Sequence, residues 1–254
     1  MTRPRRDDDQ ASPGCDLQRR QVLGGVARTL LSGSALMAGL SACSTPSRSS
    51  STLRPDWPTV TSANAGIVPK PGAAAAAAAD PKFANVAART TWTTMLPDYK
   101  GMNRMTPIGA VTVHHDGLPS PLGSTRTRDA QDRLRTIRRG HVNHNGWADI
   151  GYHFAVDRSG RIWSCRPLTW QGAHVKNRNE GNIGVLVLGN FEIERPTSAQ
   201  LNGLAIHLKT LVTAYRISPR KVYTHREWPG AATACPGRNL QPAVNRIRAR
   251  GLVA

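Results

Sequence analysis

The residues of this chain most able to hold a metal or move a proton are four cysteines and eight histidines, and they are unevenly spread. Every histidine lies beyond residue 113: His114, His115, His141, His144, His153, His174, His207 and His225. His114 follows the β-branched run Val111-Thr112-Val113, and His225 follows Val222-Tyr223-Thr224. Ten residues beyond His225 comes Cys235, in Ala234-Cys235-Pro236-Gly237. Two neutral imidazoles and a thiolate supply three ligands for Zn²⁺ and leave a fourth position open to water, the feature that separates a catalytic zinc from a structural one. Ligands at strand ends sit on a rigid frame while facing an open surface. A rival exists in His141-Val142-Asn143-His144, which could place two imidazoles on one helix face or form a nuclease-like His/Asn cluster.

Stepping from ligands to the elements that must carry them, the pattern alternates strands and helices. Ile108 to Val113 reads as a buried strand, and Arg126 to Arg139 as a helix with Leu134 and Ile137 on one face. Tyr152-His153-Phe154-Ala155-Val156 and Arg161-Ile162-Trp163 flank the turn Asp157-Arg158-Ser159-Gly160, which predicts a hairpin. Asn182 to Leu188 is a continuous apolar run, as expected of a central strand. Thr197 to Tyr215 predicts a helix capped by Thr197 or Ser198. Lys221 to Thr224 is a last short strand, and Leu240 to Arg250 a last helix. The expected fold class is α/β, a single domain with a central mixed β-sheet flanked by helices.

The N-terminal part has another character. Arg19-Arg20 precedes a mild apolar stretch from Gly24 to Leu40 that is too short and too weak for a membrane span. Basic flank, apolar run and small residues are the order of an export signal. The arginine pair resembles a twin-arginine signal, and Leu40-Ser41-Ala42-Cys43 resembles a lipoprotein processing box with Cys43 as the acylated residue. Residues 1–42 are therefore expected to be a signal peptide. Residues 43–82, rich in Ser, Pro and Ala, are expected to be a lipid-anchored linker, having few large apolar groups to offset their ordering entropy. Residues 83–254 are the expected catalytic domain, and the remaining Cys165 reads as a small buried hydrophobe.

From Val86 to Leu252 the chain resembles the type-2 N-acetylmuramoyl-L-alanine amidases and peptidoglycan recognition proteins. The resemblance rests on landmarks in order: Arg89-Thr90-Thr91-Trp92, Val111-Thr112-Val113-His114-His115, Trp147-Ala148-Asp149-Ile150-Gly151-Tyr152-His153-Phe154, Gly172-Ala173-His174, Asn182-Ile183-Gly184-Val185, His225-Arg226-Glu227 and Cys235-Pro236-Gly237. It implies one Zn²⁺ per chain held by His114, His225 and Cys235, with Tyr152 and Thr233 as catalytic residues and His174, His153 and Asn182 around the substrate. The implied reaction is zinc-assisted hydrolysis of the amide between the lactyl group of N-acetylmuramic acid and L-alanine, with Tyr152 stabilising the developing oxyanion. The chain departs from the family in three ways. The stretch from His225 to Cys235 is enlarged around Trp228-Pro229-Gly230-Ala231-Ala232. Thr233 stands where some members have Lys. Val185-Leu186-Val187-Leu188 lacks the glutamate that one branch uses as base.

Charge adds a partner class. The 254 residues carry formal net charge +18, and beyond residue 42 there are 28 basic against 12 acidic side chains, net +16. Such a surface attracts polyanions, cell-wall polymers and anionic lipid included. Nucleic acid is disfavoured as partner by the export signal and by an aromatic share of only 5%, which offers few bases a stacking platform. The expected setting is a monomer, exported and lipid-anchored at the cell envelope, on the periplasmic side or at the outer membrane, acting on peptidoglycan or muropeptides. The alternative is a non-catalytic peptidoglycan-binding module of the same fold. Relatives of that kind commonly lack the metal cysteine, so Cys235 favours the enzyme.

Overall fold

The computed structural model describes residues 83–252. The expected signal peptide over 1–42, the acylation of Cys43 and the linker over 43–82 lie outside the described residues.

Six strands build one sheet: β1 (Val86–Ala87), β2 (Ala110–His115), β3 (Phe154–Val156), β4 (Ile162–Ser164), β5 (Asn182–Val187) and β6 (Val222–Thr224). Their order is β1-β4-β3-β5-β2-β6. β3 and β4 form the expected antiparallel hairpin, and every other adjacent pair is parallel. The sheet is therefore mixed, as the sequence predicts. β2 and β5 are in register from Ala110 opposite Asn182 to His115 opposite Val187. Interior parallel strands are covered on both faces, which is why β5 reads as an almost unbroken apolar run and is buried along its whole length.

The strand period of two sorts side chains between two cores. Val111 and Val113 of β2 and Ile183, Val185 and Val187 of β5 face α2 (Ser198–Tyr215) and α3 (Gln241–Ala249), meeting Leu204, Leu208, Leu211 and Val244. The opposite face takes Leu186, Ala155 and Trp163 against Leu134 and Ile137 of α1 (Thr127–Asn143) and against Trp92. Truncating one of these leucines to alanine costs roughly 2–5 kcal/mol. α2 begins where its sequence signal lies: the Thr197 side chain accepts the Gln200 N–H at 3.0 Å. His207 of α2 is buried with its ring 4.4 Å from that of Phe154.

Two expectations shift. The helix expected over 126–139 continues to Asn143, so His141 lies in its last turn and His144 at its C-cap. The strand expected from Tyr152 begins at Phe154, because Tyr152 and His153 run ahead of the ladder into the site. Cys165 is a fully buried free thiol, as expected, and burial pushes its pKa up.

Candidate metal centre

β2 presents two adjacent histidines, and strand alternation separates their tasks. His115 turns its ring to Phe191, whose backbone N–H donates to Nδ1 at 3.1 Å. His114 lies on the other face with Thr112, away from the valines packed under α2. There its ring lies 4.8 Å from that of His225, 5.0 Å from that of His174 and 5.1 Å from that of Tyr152. His225 opens a 3₁₀ turn (His225–Glu227) at the end of β6, the strand paired with β2. The turn is fixed by a capping box between Thr224 and Glu227.

Cys235 reaches the same place from a loop. The Arg226 backbone N–H donates to the Cys235 carbonyl at 3.1 Å, and the Arg226 guanidinium holds the Ala234 carbonyl. The thiol sits 3.6 Å from His114 Nδ1 and accepts the His115 backbone N–H at 3.4 Å. Among the described residues, one group of three ligand-bearing side chains has metal geometry: His114, His225 and Cys235, with ligand atoms all within 4.8 Å of one another. A zinc tetrahedron with bonds of about 2.0 Å to nitrogen and 2.3 Å to sulfur has an N–S edge of about 3.5 Å, so the donor set fits the ion. The rival pair is not brought together as a site: His141 Nδ1 accepts the Gly151 backbone N–H at 3.0 Å, while His144 is exposed at the helix end.

Electrostatics agree with neutral imidazole ligands. Burial, then neighbouring imidazoles, holds His114 well below the usual histidine range. Burial and then His115 lower His225 to about 4. Burial pushes the Cys235 thiol up to about 12, against the opposing pull of the His115 N–H and of Arg226. A thiol so placed becomes a thiolate when a cation takes the proton's place.

Tyr152 is half-buried, its ring between those of His114 and His141, the latter 5.5 Å away. Burial raises its pKa, with Cys235 and Asp116 adding to the effect, so its hydroxyl stays protonated. Thr233 is also half-buried, and its Oγ1 accepts the Cys235 N–H at 3.1 Å. His174 lies beside His114 with His174 Nδ1 3.0 Å from His114 Nε2. His153 and Asn182, expected around substrate, are turned inward. His153 is fully buried, accepting the Gly184 N–H at Nδ1 (3.0 Å) and reaching the Trp170 carbonyl from Nε2 (3.0 Å). Neither ring nitrogen is left for a ligand. The Asn182 side chain is used up inside the sheet, accepting from Thr112 Oγ1 at 3.0 Å and donating to the Arg178 carbonyl at 2.7 Å.

The enlarged loop has a structural tie that the sequence did not signal: Trp228 Nε1 donates to Thr112 Oγ1 at 2.8 Å. Sequence reasoning took His141 only as half of a rival metal pair and did not place it at Tyr152, yet its ring meets both Tyr152 and Trp147. Its position in the turn of helix nearest Tyr152 follows only from the helix running four residues past its expected end. A cleft of about 290 Å³ begins at Ala173, next to His174, and is lined by Gly146, Trp147, Arg166 and Gln171. It shares Gly101, Gly146, Trp147 and Ala148 with a wider cleft of about 700 Å³ edged by Arg135, Arg138 and Arg139.

Fold and site together describe an α/β domain in which His114, His225 and Cys235 form a candidate three-ligand metal site. Residues 104–238 match the family model described as N-acetylmuramoyl-L-alanine amidase, and the chain belongs to that family. It is 34% identical over 143 residues to the human N-acetylmuramoyl-L-alanine amidase, covering 55% of this chain and 24% of that protein. It is 36% identical over 109 residues to peptidoglycan-recognition protein SC2 of Drosophila melanogaster, covering 42% of this chain and 58% of the relative. The chain thus spans about a quarter of the length of the human relative. A Drosophila peptidoglycan-recognition protein LB variant solved in complex with tracheal cytotoxin has the same fold, with TM-score 0.57, 24% identity, and coverage of 69% of this chain and 99% of that one.

Proposed function

We propose that this protein is a zinc-dependent peptidoglycan amidase that hydrolyses the amide between N-acetylmuramic acid and L-alanine. The observation that carries the reading is the convergence of His114, His225 and Cys235 with ligand atoms within 4.8 Å. Bound there, zinc would supply Lewis acidity, making water nucleophilic near neutral pH and polarising the scissile carbonyl. The protein's own residues do the rest. Tyr152, protonated and half-buried against His114, donates to the oxygen on which charge develops. Thr233, whose Oγ1 already accepts from Cys235 N–H, keeps its own O–H free to donate toward the reacting amide. The two clefts that share Gly101, Gly146, Trp147 and Ala148, one lined by Ala173 and the other edged by Arg139, offer room for a glycopeptide.

Export through a twin-arginine-like signal over 1–42 and acylation of Cys43 belong to the same proposal, as does a monomer tethered to the cell envelope by residues 43–82. No helix among the described residues is long and apolar enough to cross a membrane. The enzyme reading is tested by incubating the full chain with purified peptidoglycan, with Cys235→Ala and chelator as controls. New L-alanine amino termini, lost in both controls and restored by Zn²⁺, are the expected result. Wall binding without bond cleavage under any metal would leave a recognition module instead.

A further inference from the structure

On the zinc reading just given, we propose that His174 is a positioning residue: it fixes which nitrogen His114 turns to the metal. The argument starts at a carbonyl, which can only accept. His174 Nε2 lies 3.1 Å from the Asn182 backbone oxygen, so Nε2 carries the proton. A neutral imidazole has one N–H, which leaves His174 Nδ1 a bare acceptor. That atom is 3.0 Å from His114 Nε2, so His114 must donate there. His114 Nδ1 is then the bare lone pair, and it is the nitrogen 3.6 Å from Cys235 Sγ, on the side where the ligands meet. The three groups form a one-way relay from the Asn182 carbonyl through two imidazoles to the metal face. Metal-bound histidines ordinarily donate their second N–H to a carboxylate, carbonyl or water. Here another histidine takes that part, itself anchored to the backbone of β5.

The slot around His174 is built for this. A Cβ on Gly172 would lie 2.5 Å from His174 Cδ2, and one on Gly184 would lie 2.6 Å from the same atom. Two glycines thus let the backbone close on the ring at two points of the chain. His174 is 4% exposed, and the Asn179 side chain accepts its backbone N–H at 2.9 Å. A side chain wedged this way, with both ring nitrogens engaged inside the protein, is placed to orient a ligand rather than to touch substrate.

The test uses the full chain. In zinc-loaded, ¹⁵N-histidine-labelled protein, long-range proton–nitrogen NMR should show His114 metallated at Nδ1 and protonated at Nε2. Zinc affinity, measured by competition with a chromophoric chelator, should fall about 10- to 100-fold in His174→Leu. In His174→Gln it should stay within about threefold, because the amide can accept from His114 and donate to the Asn182 carbonyl. KM measured at saturating zinc should stay near the wild-type value in both variants. Metallation of His114 through Nε2 would overturn the relay, whatever the variants do. So would wild-type zinc affinity in His174→Leu accompanied by a raised KM, the signature of a substrate contact. Should His174→Leu fail to fold, the NMR of the unmodified protein decides alone. A wild-type chain that binds no zinc would instead sink the amidase reading on which the relay rests.

Discussion

At the residue scale the proposed site separates groups that would hold the metal from groups that would meet the substrate. Tyr152 has its ring against His114 and a hydroxyl that burial keeps protonated. Removing one donor to a developing oxyanion costs about 10²–10³ in kcat. Tyr152→Phe should show a loss of that order with zinc affinity within about twofold of wild type, read by single-turnover kinetics and chelator competition. An unchanged kcat would remove Tyr152 from the chemistry. Cys235→Ala should lose stoichiometric zinc, because His114 and His225 are then the two members left of the three-ligand group found among the described residues. Which of two neighbouring histidines serves was legible only through family resemblance. The physical reason is the strand's alternation, which sends His114 to the site and His115 to the Phe191 backbone.

At the element scale, β2 and β6 carry the two histidines, β5 braces β2 from its other edge, and the loops are pinned to these strands by buried polar contacts. Asp116, just beyond β2, pairs with the buried Arg133 of α1 at 2.6 Å and accepts the Gly189 N–H at 2.7 Å. Breaking a buried pair from one side leaves an uncompensated charge, so Asp116→Ala should destabilise by about 3–5 kcal/mol in urea titration. A change below about 1 kcal/mol would mean the pair is a replaceable decoration. Gly184→Ala probes a different support. Its Cβ would collide with the His174 ring in the middle of β5, where neither the strand nor the ring has room to move. The expected outcome is a folded protein with weakened zinc binding, seen by circular dichroism alongside competition titration. The period-two and helical patterns marked nearly every one of these elements in the sequence. What they could not mark was β1, whose two residues are too few to show a period.

At the scale of the whole molecule, buried imidazoles set the acid limit of the metal-free fold. Burial lowers His141 to about 4, His153 to about 3 and His207 to about 3. An unfolded histidine titrates near 6.5, so between there and the folded value the unfolded state binds more protons. Stability is therefore complete above about pH 6.5 and drains away as pH falls toward 3–4. His207 has no hydrogen-bond partner at Nε2 among the described residues and rests between Phe83 and Phe154, so it isolates the effect. At pH 5 its share is about 2 kcal/mol. His207→Leu should narrow the stability gap between pH 7 and pH 5 by about that amount in urea titrations at the two pH values. An unaltered gap would show that His207 is not held neutral by its surroundings.

Composition, periodicity and motif order were enough for the mixed α/β sheet, the hairpin at Asp157–Gly160 and three histidine and cysteine positions far apart in the chain. They suffice because strand and helix periods are local, and because a carbonyl-polarising zinc site needs a short list of residue types. The tertiary structure decided what depends on direction. It turned His153 and Asn182 inward to satisfy buried backbone and side-chain groups, and it brought His141 beside Tyr152 by carrying α1 to Asn143. It also joined His114, His174 and the Asn182 carbonyl in a line of hydrogen bonds. Residues 60 and 8 positions apart share that line. Its polarity comes from one backbone oxygen that can only accept, a fact about three-dimensional neighbours that no local pattern encodes.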